Sequence, residues 1–283
     1  MIVDMRLRPP LKSWVNRIQY QHGTANPARA GFPRPPSAEA RSMEMLLQEM
    51  DQAGIRWGVI AGRQSKEPVG VIPNDEIAET VTRYPARFVG LAGIDPCAPP
   101  GTALAEIERC MRIPGFAGIS IEPCAASTPM LADDARLNPI YEFCQDRSIP
   151  VSISLSNLLC HTAGAPYAYN SPLPLYPVAA AFPRLKLIVS HGAWPWVREL
   201  LGIAFVCPNV WVSPDLFMVG VNMPGADEYV KAANSYLSER TLFGTNYPTR
   251  PLVESVQAFS EWSFAPGVRQ KVLCDNALRV LGM

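Results

Sequence analysis

The chain has 283 residues, of which 48% are apolar and 18% charged, so it can bury a large core and is not a disordered protein. Its 25 basic and 25 acidic residues cancel, which argues against nucleic acid or an anionic membrane as a partner. The longest near-apolar run, Leu200 to Cys207, is far shorter than the roughly 18 residues of a membrane span. Met1 to Arg6 carries an acid and a base where a signal peptide is apolar. The seven cysteines form no Cys-x-x-Cys pair, so we expect reduced thiols in a cytoplasmic protein.

Short apolar runs alternate with longer amphipathic ones along the chain, which is typical of alternating strands and helices. Eight strands are predicted at Ile2–Met5, Trp57–Ala61, Phe88–Ile94, Ala117–Ile121, Pro150–Ser154, Leu185–Ser190, Val210–Ser213 and Thr241–Gly244. The helices that follow them are predicted at Met43–Ala53, Asn74–Arg83, Ala103–Arg112, Asn138–Asp146, Tyr176–Phe182, Trp194–Phe205, Asp227–Leu237 and Leu252–Phe259. Two helical turns, Val268–Leu273 and Asn276–Leu281, close the chain.

Eight strand–helix units in a chain of this length predict an α/β fold, a single (β/α)8 TIM barrel over residues 1–283 with a C-terminal helical extension. A doubly wound sheet is the structural alternative, but no glycine-rich phosphate loop follows the first predicted strand. In a barrel the functional residues lie in the loops after the carboxyl ends of the strands. Those loops are long here, at Leu7–Pro36, Glu122–Leu137, Leu155–Pro174 and Pro214–Ala226.

Four motifs lie at or after predicted strands and at the end of the chain. They are IVDMRLR at 2–8, LIVSHG at 187–192, LFGTNYP at 242–248 and DNALRVL at 275–281. In this order and spacing they resemble the first, sixth and eighth strands and the terminal element of the amidohydrolase-related metal hydrolases and decarboxylases. Asn138–Glu142 and Ile149–Val151 are similar to the fourth helix and fifth strand of that family. The resemblance spans the whole chain and implies the barrel fold independently.

The positions that bind metal in this family are substituted in this chain. The resemblance implies a His-x-His pair where Arg6 and Arg8 stand, and a further histidine at the place of Ser154. It implies a metal-binding acid at the place of Asn246, so that His191 is the ligand that remains. A guanidinium has no lone pair for a cation, and a catalytic zinc needs about three protein ligands. We therefore expect neither a metal nor another cofactor.

Three arginines are candidates for binding an anionic substrate. Arg6 and Arg8 share a parity on the first strand, so both can face the barrel mouth and hold a carboxylate or phosphate. In the structural alternative, one of them pairs with Glu122 or Asp4 and only replaces the charge of the lost metal. Arg63, which follows the second strand, is either a third basic group of the site or a solvated loop residue.

Catalysis is assigned to His191, Asn246 and Glu122. His191 titrates near neutrality and is the predicted general acid/base, unless it is a buried histidine bonded to a carbonyl. Glu122 either accepts a proton or neutralises an arginine, and the amide of Asn246 orients a substrate oxygen or water. A relay across three adjacent strand ends, formed by Ser154 with Ser156, His191, and Ser213 with Asp215, is geometrically possible, but no Gly-x-Ser-x-Gly motif supports it. Serines at strand ends commonly just complete local hydrogen bonds, which is the structural alternative to a nucleophile. Ser154 is assigned to substrate binding.

Aromatic side chains near the same strand ends are candidates for an apolar pocket wall beside the arginines. Trp194 and Tyr247 are assigned to substrate binding. Further candidates are Phe217, the first-loop residues Trp14 and Tyr20, and Trp196, for which packing is the favoured explanation. Packing of helix and loop starts is the structural alternative for this group.

The resemblance and these residues together predict a hydrolase that acts without a metal on a small anionic, carboxylated substrate such as a lactone or ester. The first alternative is a decarboxylase or other lyase, because arginines that hold a carboxylate serve that chemistry equally well. The second is a catalytically inactive barrel that binds a small anion. A homodimer is possible, since barrels of the family often pair.

Overall fold

The structure, a computed structural model, describes residues 1–21, 31–219 and 223–283. Its strands are β1 (Ile2–Asp4), β2 (Ile55–Ala61), β3 (Arg63–Gln64), β4 (Val71–Ile72), β5 (Phe88–Gly93), β6 (Phe116–Ile121), β7 (Val151–Ser154), β8 (Leu187–Ser190) and β9 (Val210–Ser213). Seven of these described strands form one parallel sheet in the order β1-β2-β5-β6-β7-β8-β9. β3 and β4 form a separate antiparallel hairpin after β2, which the sequence did not predict.

The eighth predicted strand, Thr241–Gly244, does not form a regular strand, and this corrects the prediction. Its backbone bridges β9 and β1 instead: Leu242 N donates to Val212 O, and Met5 N donates to Phe243 O, both at 2.9 Å. A further amide of the segment donates to the C-terminal helical region. Because its hydrogen bonds are divided among three partners, no continuous ladder forms. The segment nevertheless closes the curled sheet, and the predicted α/β barrel is confirmed.

Helices surround the sheet and connect its strands. In the described ranges they are Lys12–Val15, Ile18–Gln21, Pro36–Ala40, Met43–Gln52, Asn74–Arg83, Pro100–Met111, Asn138–Asp146, Asn157–Ala163, Leu175–Ala181, Val197–Val206, Leu216–Val219, Ala226–Ala233, Leu252–Ser260, Val268–Gln270 and Asn276–Leu281. The helix predicted from Trp194 begins at Val197, because Trp194 precedes Pro195 and has an extended backbone with ψ 133°. None of these helices is long and apolar enough to cross a membrane.

The long first loop, Leu7–Pro36, carries secondary structure that the sequence did not predict. Two short helices, Lys12–Val15 and Ile18–Gln21, follow β1, and they bury the side chains of Trp14 and Tyr20. Residues 22–30 of this loop lie outside the described part of the chain. The helix Lys12–Val15 places the indole ring of Trp14 beside the carboxyl ends of the barrel strands.

The two largest apolar clusters of the described residues both include residues of the barrel strands. The larger one packs the helices on the outer face of the sheet, with Leu46, Ile60 and Ile77 fully buried. The second cluster joins strand residues such as Val59 to Ala277 of the C-terminal helix Asn276–Leu281. Apolar side chains thus fill these layers, while charged side chains collect where the strands end at their carboxyl termini.

Candidate active site

Polar side chains gather at one end of the barrel because parallel strands all end on the same face. Arg6 and Arg8 follow β1, Arg63 lies in β3 just after β2, Glu122 follows β6, Ser154 ends β7, His191 follows β8, Asp215 follows β9, and Asn246 follows the bridging segment. All eight are buried. The sheet register also aligns Ser154 with Ser190 and Ser190 with Ser213. The structure therefore brings together the charged residues that the sequence assigned to the site.

Glu122 is shared by two arginines. Its Oε2 atom lies 2.8 Å from Arg63 Nε, and its Oε1 atom lies 3.3 Å from Arg6 Nη2. Ser65 Oγ also donates to Oε2, at 2.8 Å. Although burial opposes ionisation, the charges of Arg63 and Arg6 hold the pKa of Glu122 below its ordinary value. These contacts match the second role predicted for Glu122, in which it neutralises an arginine. They also place the Arg6 guanidinium in an ion pair.

Arg8 differs from Arg6 and Arg63 because it contacts no carboxylate among the described residues. Its Nη1 atom donates to the backbone carbonyls of Asn246 and the next residue, at 3.1 and 3.4 Å. Its guanidinium lies 5.3 Å from the ring centre of Trp14, and that of Arg63 lies 4.8 Å from the same ring. Burial and the neighbouring Arg6 and Arg63 charges lower the pKa of Arg8 well below its ordinary value. Since arginine stays protonated in proteins, Arg8 is a buried cation that an incoming anion would stabilise.

His191 and Asp215 form a buried pair. The Nδ1 atom of His191 lies 3.1 Å from Asp215 Oδ2, which also accepts the backbone N–H of His191 at 3.0 Å. Ser213 donates to the other carboxylate oxygen at 2.6 Å. Gly244 makes room for this carboxylate, because a Cβ atom there would lie 2.6 Å from Asp215 Oδ1. The histidine ring is therefore oriented through Nδ1, and Nε2 on its opposite side remains for a ligand.

The electrostatics of this pair favour a neutral imidazole and an ionised carboxylate. Burial lowers the pKa of His191 to about 4. The contact with Asp215 raises this pKa, whereas the charge of Arg6 lowers it further. For Asp215, burial opposes ionisation, but the hydrogen bonds and charges of His191, Arg6 and Ser213 hold its pKa below the ordinary value. At neutral pH the ring can therefore accept a proton at Nε2.

A cavity of about 110 Å³ opens between these groups. The residues that line it are Arg8, Ile18, Gln19, Arg63, Val69, Glu122, Ser156, Leu158, Leu159, Thr162, His191, Leu216, Asn246 and Thr249. Arg8 and the ion pair of Arg63 with Glu122 thus line the cavity, in place of the pair Arg6 and Arg8 that strand parity predicted. Arg6 is not among the lining residues, and its Nη2 atom donates to Ser154 Oγ at 3.2 Å.

Besides Arg6, three further predicted binding residues do not line this cavity: Ser154, Trp194 and Tyr247. Tyr247 is fully buried, with its hydroxyl oxygen 2.7 Å from Ser37 Oγ, and its ring is not part of the lining. Trp194 lines a neighbouring chamber, where its ring stacks on Phe217 with 4.9 Å between ring centres. Tyr247 is therefore packed in the protein interior, as the structural alternative for these aromatic residues predicted.

Sequence reasoning missed several groups of the site. Gln19 and Thr249 line the cavity, and no motif or spacing in the sequence pointed to either of them. The sequence predicted Asp215 only as a member of a serine relay. Its position shortly after a strand, like that of Asn246, was the signal for a further site residue. The Oδ1 atom of Asn246 is buried and accepts no hydrogen bond from the described residues, so it is available to a ligand.

The residues present do not fit a divalent metal ion. The described part of the chain contains no cluster of three or more histidine, cysteine, aspartate or glutamate side chains that could hold one. Arg6 and Arg8 occupy the places of two expected ligands, and their guanidinium groups offer no lone pair. Because the Nδ1 side of His191 faces Asp215, a single imidazole nitrogen is left for any ligand.

The fold and site define a TIM-barrel protein with a buried arginine and a histidine–aspartate pair at one cavity. The chain belongs to the amidohydrolase family, whose model matches residues 3–283. The family resemblance that the strand-end motifs predicted is thereby confirmed.

Three similar proteins illustrate the relationship. The chain is 22% identical over 241 residues to gamma-resorcylate decarboxylase from Polaromonas sp., covering 72% of this chain and 73% of the relative. It is 24% identical over 275 residues to 2-amino-3-carboxymuconate-6-semialdehyde decarboxylase from Dictyostelium discoideum, covering 84% and 73%. The crystal structure of the uncharacterized TIM-barrel protein Bb4693 from Bordetella bronchiseptica superposes with a TM-score of 0.91 at 37% identity, covering 99% of this chain and 98% of that one.

Proposed function

We propose that this protein is a lyase that removes carbon dioxide from a small carboxylated substrate. The observation that carries the proposal is Arg8, a buried guanidinium without a carboxylate partner in the described residues, which lines the same cavity as His191. The hydrolase expected from the sequence is the weaker hypothesis. Both curated relatives compared above are decarboxylases, which supports the alternative that the sequence analysis had placed second.

Arg8 is the group that we assign to the substrate carboxylate. A planar guanidinium forms paired hydrogen bonds with a carboxylate, and at this buried place such contacts are stronger than in water. The cavity of about 110 Å³ limits the bound part of the substrate to a small group. Arg63 lies on the same cavity and faces the same Trp14 ring, but it is paired with Glu122.

His191 is the group that we assign to proton transfer. When the carbon–carbon bond to the carboxylate breaks, its electron pair stays on the substrate carbon, which must take up one proton. Neutral His191 can take an acidic hydroxyl proton of the substrate at Nε2 and return it to that carbon, while Asp215 stabilises the transient imidazolium. The proposed reaction thus uses a proton carrier, His191, and a cationic side chain without a carboxylate partner in the described residues, Arg8.

Carbon dioxide release tests the proposal directly. The purified protein, dialysed against a chelator and checked by elemental analysis, is incubated with a panel of hydroxylated aromatic and unsaturated carboxylates labelled with ¹³C at the carboxyl carbon. We expect labelled carbon dioxide from at least one substrate, with well under one zinc, manganese or iron per chain. His191→Asn should remove the release, and His161→Asn is the matched control because His161 is an exposed histidine outside the cavity lining.

The other outcomes separate the rival functions. Hydrolysis of a lactone or ester without carbon dioxide release would favour the hydrolase, and binding without turnover would favour an inactive anion-binding barrel. A stoichiometric metal bound to His191 would contradict the metal-free proposal.

A further inference from the structure

A second chamber adjoins the cavity that contains Arg8 and His191. It has a volume of about 120 Å³ and shares three lining residues with the first cavity: Leu158, Leu216 and Thr249. These shared residues place the two chambers side by side at the barrel mouth. The polar catalytic groups lie only in the first of the two linings.

The second chamber is lined largely by apolar and aromatic side chains. Its remaining lining residues are Asn157, Trp194, Phe217, Met223 and Arg250. The Trp194 and Phe217 rings are stacked, with 14° between their planes. The indole N–H of Trp194 is already used, since Nε1 donates to Pro224 O at 2.9 Å. The surface that this indole offers to a ligand is therefore the apolar part of its ring.

We propose that this chamber is a subsite for a ring-sized apolar group on the substrate. Its volume is close to that of an apolar cavity of about 150 Å³ that takes up benzene. The substrate class would then be a hydroxylated carboxylate, as the proposed reaction requires, that also carries an aryl or similarly sized apolar group on a short spacer. The carboxylate lies at Arg8, and the apolar group lies beside Trp194 and Phe217. The inference rests on the proposed function for its carboxylate end, whereas the apolar end rests on the second chamber alone.

Binding measurements test the subsite without requiring turnover. Isothermal titration compares acetate, propanoate and butanoate with phenylacetate, 3-phenylpropanoate and 4-phenylbutanoate. We expect the phenyl group to improve the affinity of wild-type protein by roughly ten- to hundredfold at one spacer length, the range expected for burial of a large apolar group. Trp194→Ala should remove most of this improvement and leave the affinity for acetate unchanged. Trp194→Phe, which keeps an aromatic ring, should retain part of it.

Trp196→Ala is the matched control. Trp196 is also half-buried, but it packs on Tyr167 with 5.1 Å between ring centres and lines neither chamber. Its substitution should leave the phenyl preference intact. Circular dichroism and melting curves establish that each variant is folded.

The results distinguish the two proposals. An absence of phenyl preference in the wild type, or an equal preference in Trp194→Ala, would overturn the subsite. If carbon dioxide release fails but the preference depends on Trp194, the subsite stands and the proposed reaction does not. If Arg8→Met leaves acetate affinity unchanged, the carboxylate end is contradicted while the Trp194 result is still decisive for the apolar end.

Discussion

The Nδ1 atom of His191 lies 3.1 Å from the Oδ2 atom of Asp215, at the ends of the adjacent strands β8 and β9. The same carboxylate oxygen accepts the backbone N–H of His191. The backbone hydrogen bond positions His191, and the carboxylate beside Nδ1 favours the tautomer with its proton on that nitrogen. Nε2 is then the basic nitrogen, which makes its protonation state the quantity that controls proton transfer in the proposed reaction.

The pH dependence of turnover should report this protonation state. Because the pKa of His191 is lowered to about 4, the ring is neutral above pH 5 and becomes protonated below it. We expect kcat/KM for carbon dioxide release to be constant above about pH 5 and to fall below it, with a midpoint near 4. A midpoint near the ordinary histidine value, about 6.5, would contradict the buried pair. Asp215→Asn should move the midpoint lower, because Asp215 raises the pKa of His191.

Substitution of Arg8 should weaken carboxylate binding. Arg8→Met removes the hydrogen bonds of a charged donor, worth about 1.5–3 kcal/mol, so affinity for a small carboxylate should fall roughly ten- to hundredfold. Arg8→Lys should recover only part of the loss, since an ammonium cannot form the planar paired contact. Titration calorimetry measures both, with Arg56→Met as a control at an exposed arginine outside the cavity lining. Equal affinities in wild type and Arg8→Met would refute the assignment.

Substitution of Glu122 should affect folding more than substrate binding. Glu122→Gln leaves Arg6 and Arg63 buried without their shared carboxylate. Breaking a buried ion pair in this way costs about 3–5 kcal/mol, which chemical denaturation at pH 7 would detect. Glu228→Gln, at the exposed pair with Arg198, should change stability by less than about 1 kcal/mol. A Glu122→Gln protein of unchanged stability that has lost turnover would instead support the proton-accepting role considered from the sequence.

Ionisation of buried Asp4 should lower the free energy of unfolding as the pH rises from 4 to 7. Burial raises the pKa of Asp4 from 3.8 to about 6. The hydrogen bonds from Thr245 and from the backbone of Arg6 lower this pKa, but by less than burial raises it. The folded state therefore binds this proton more tightly than the unfolded state, and the resulting stabilisation is present below pH 3.8 and lost through pH 6. Asp4→Asn does not ionise, so its stability relative to wild type should rise by on the order of 2–3 kcal/mol between pH 4 and pH 7. Urea denaturation at several pH values measures this difference, and parallel profiles would contradict it.

The sequence by itself determined the barrel, the family and the positions where chemistry is concentrated. Alternating apolar runs are local patterns, and β5, β6 and β9 lie within two residues of the predicted segments. The motifs around Arg6, His191 and Asn246 are also local, and each stands beside a strand end in the structure. The bridging segment Thr241–Gly244 is the exception, because its hydrogen bonds depend on three distant partners.

Only the tertiary structure decided which of the two β1 arginines is paired with a carboxylate among the described residues. Strand parity gives Arg6 and Arg8 equivalent positions, yet Glu122, 116 residues away from Arg6 in the sequence, pairs with Arg6 and not with Arg8. The pairing of His191 with Asp215 likewise depends on the neighbouring strands β8 and β9 and on the space left by Gly244. Such contacts arise from the distances between side chains on different strands, and the periodicity of one strand carries no information about those distances.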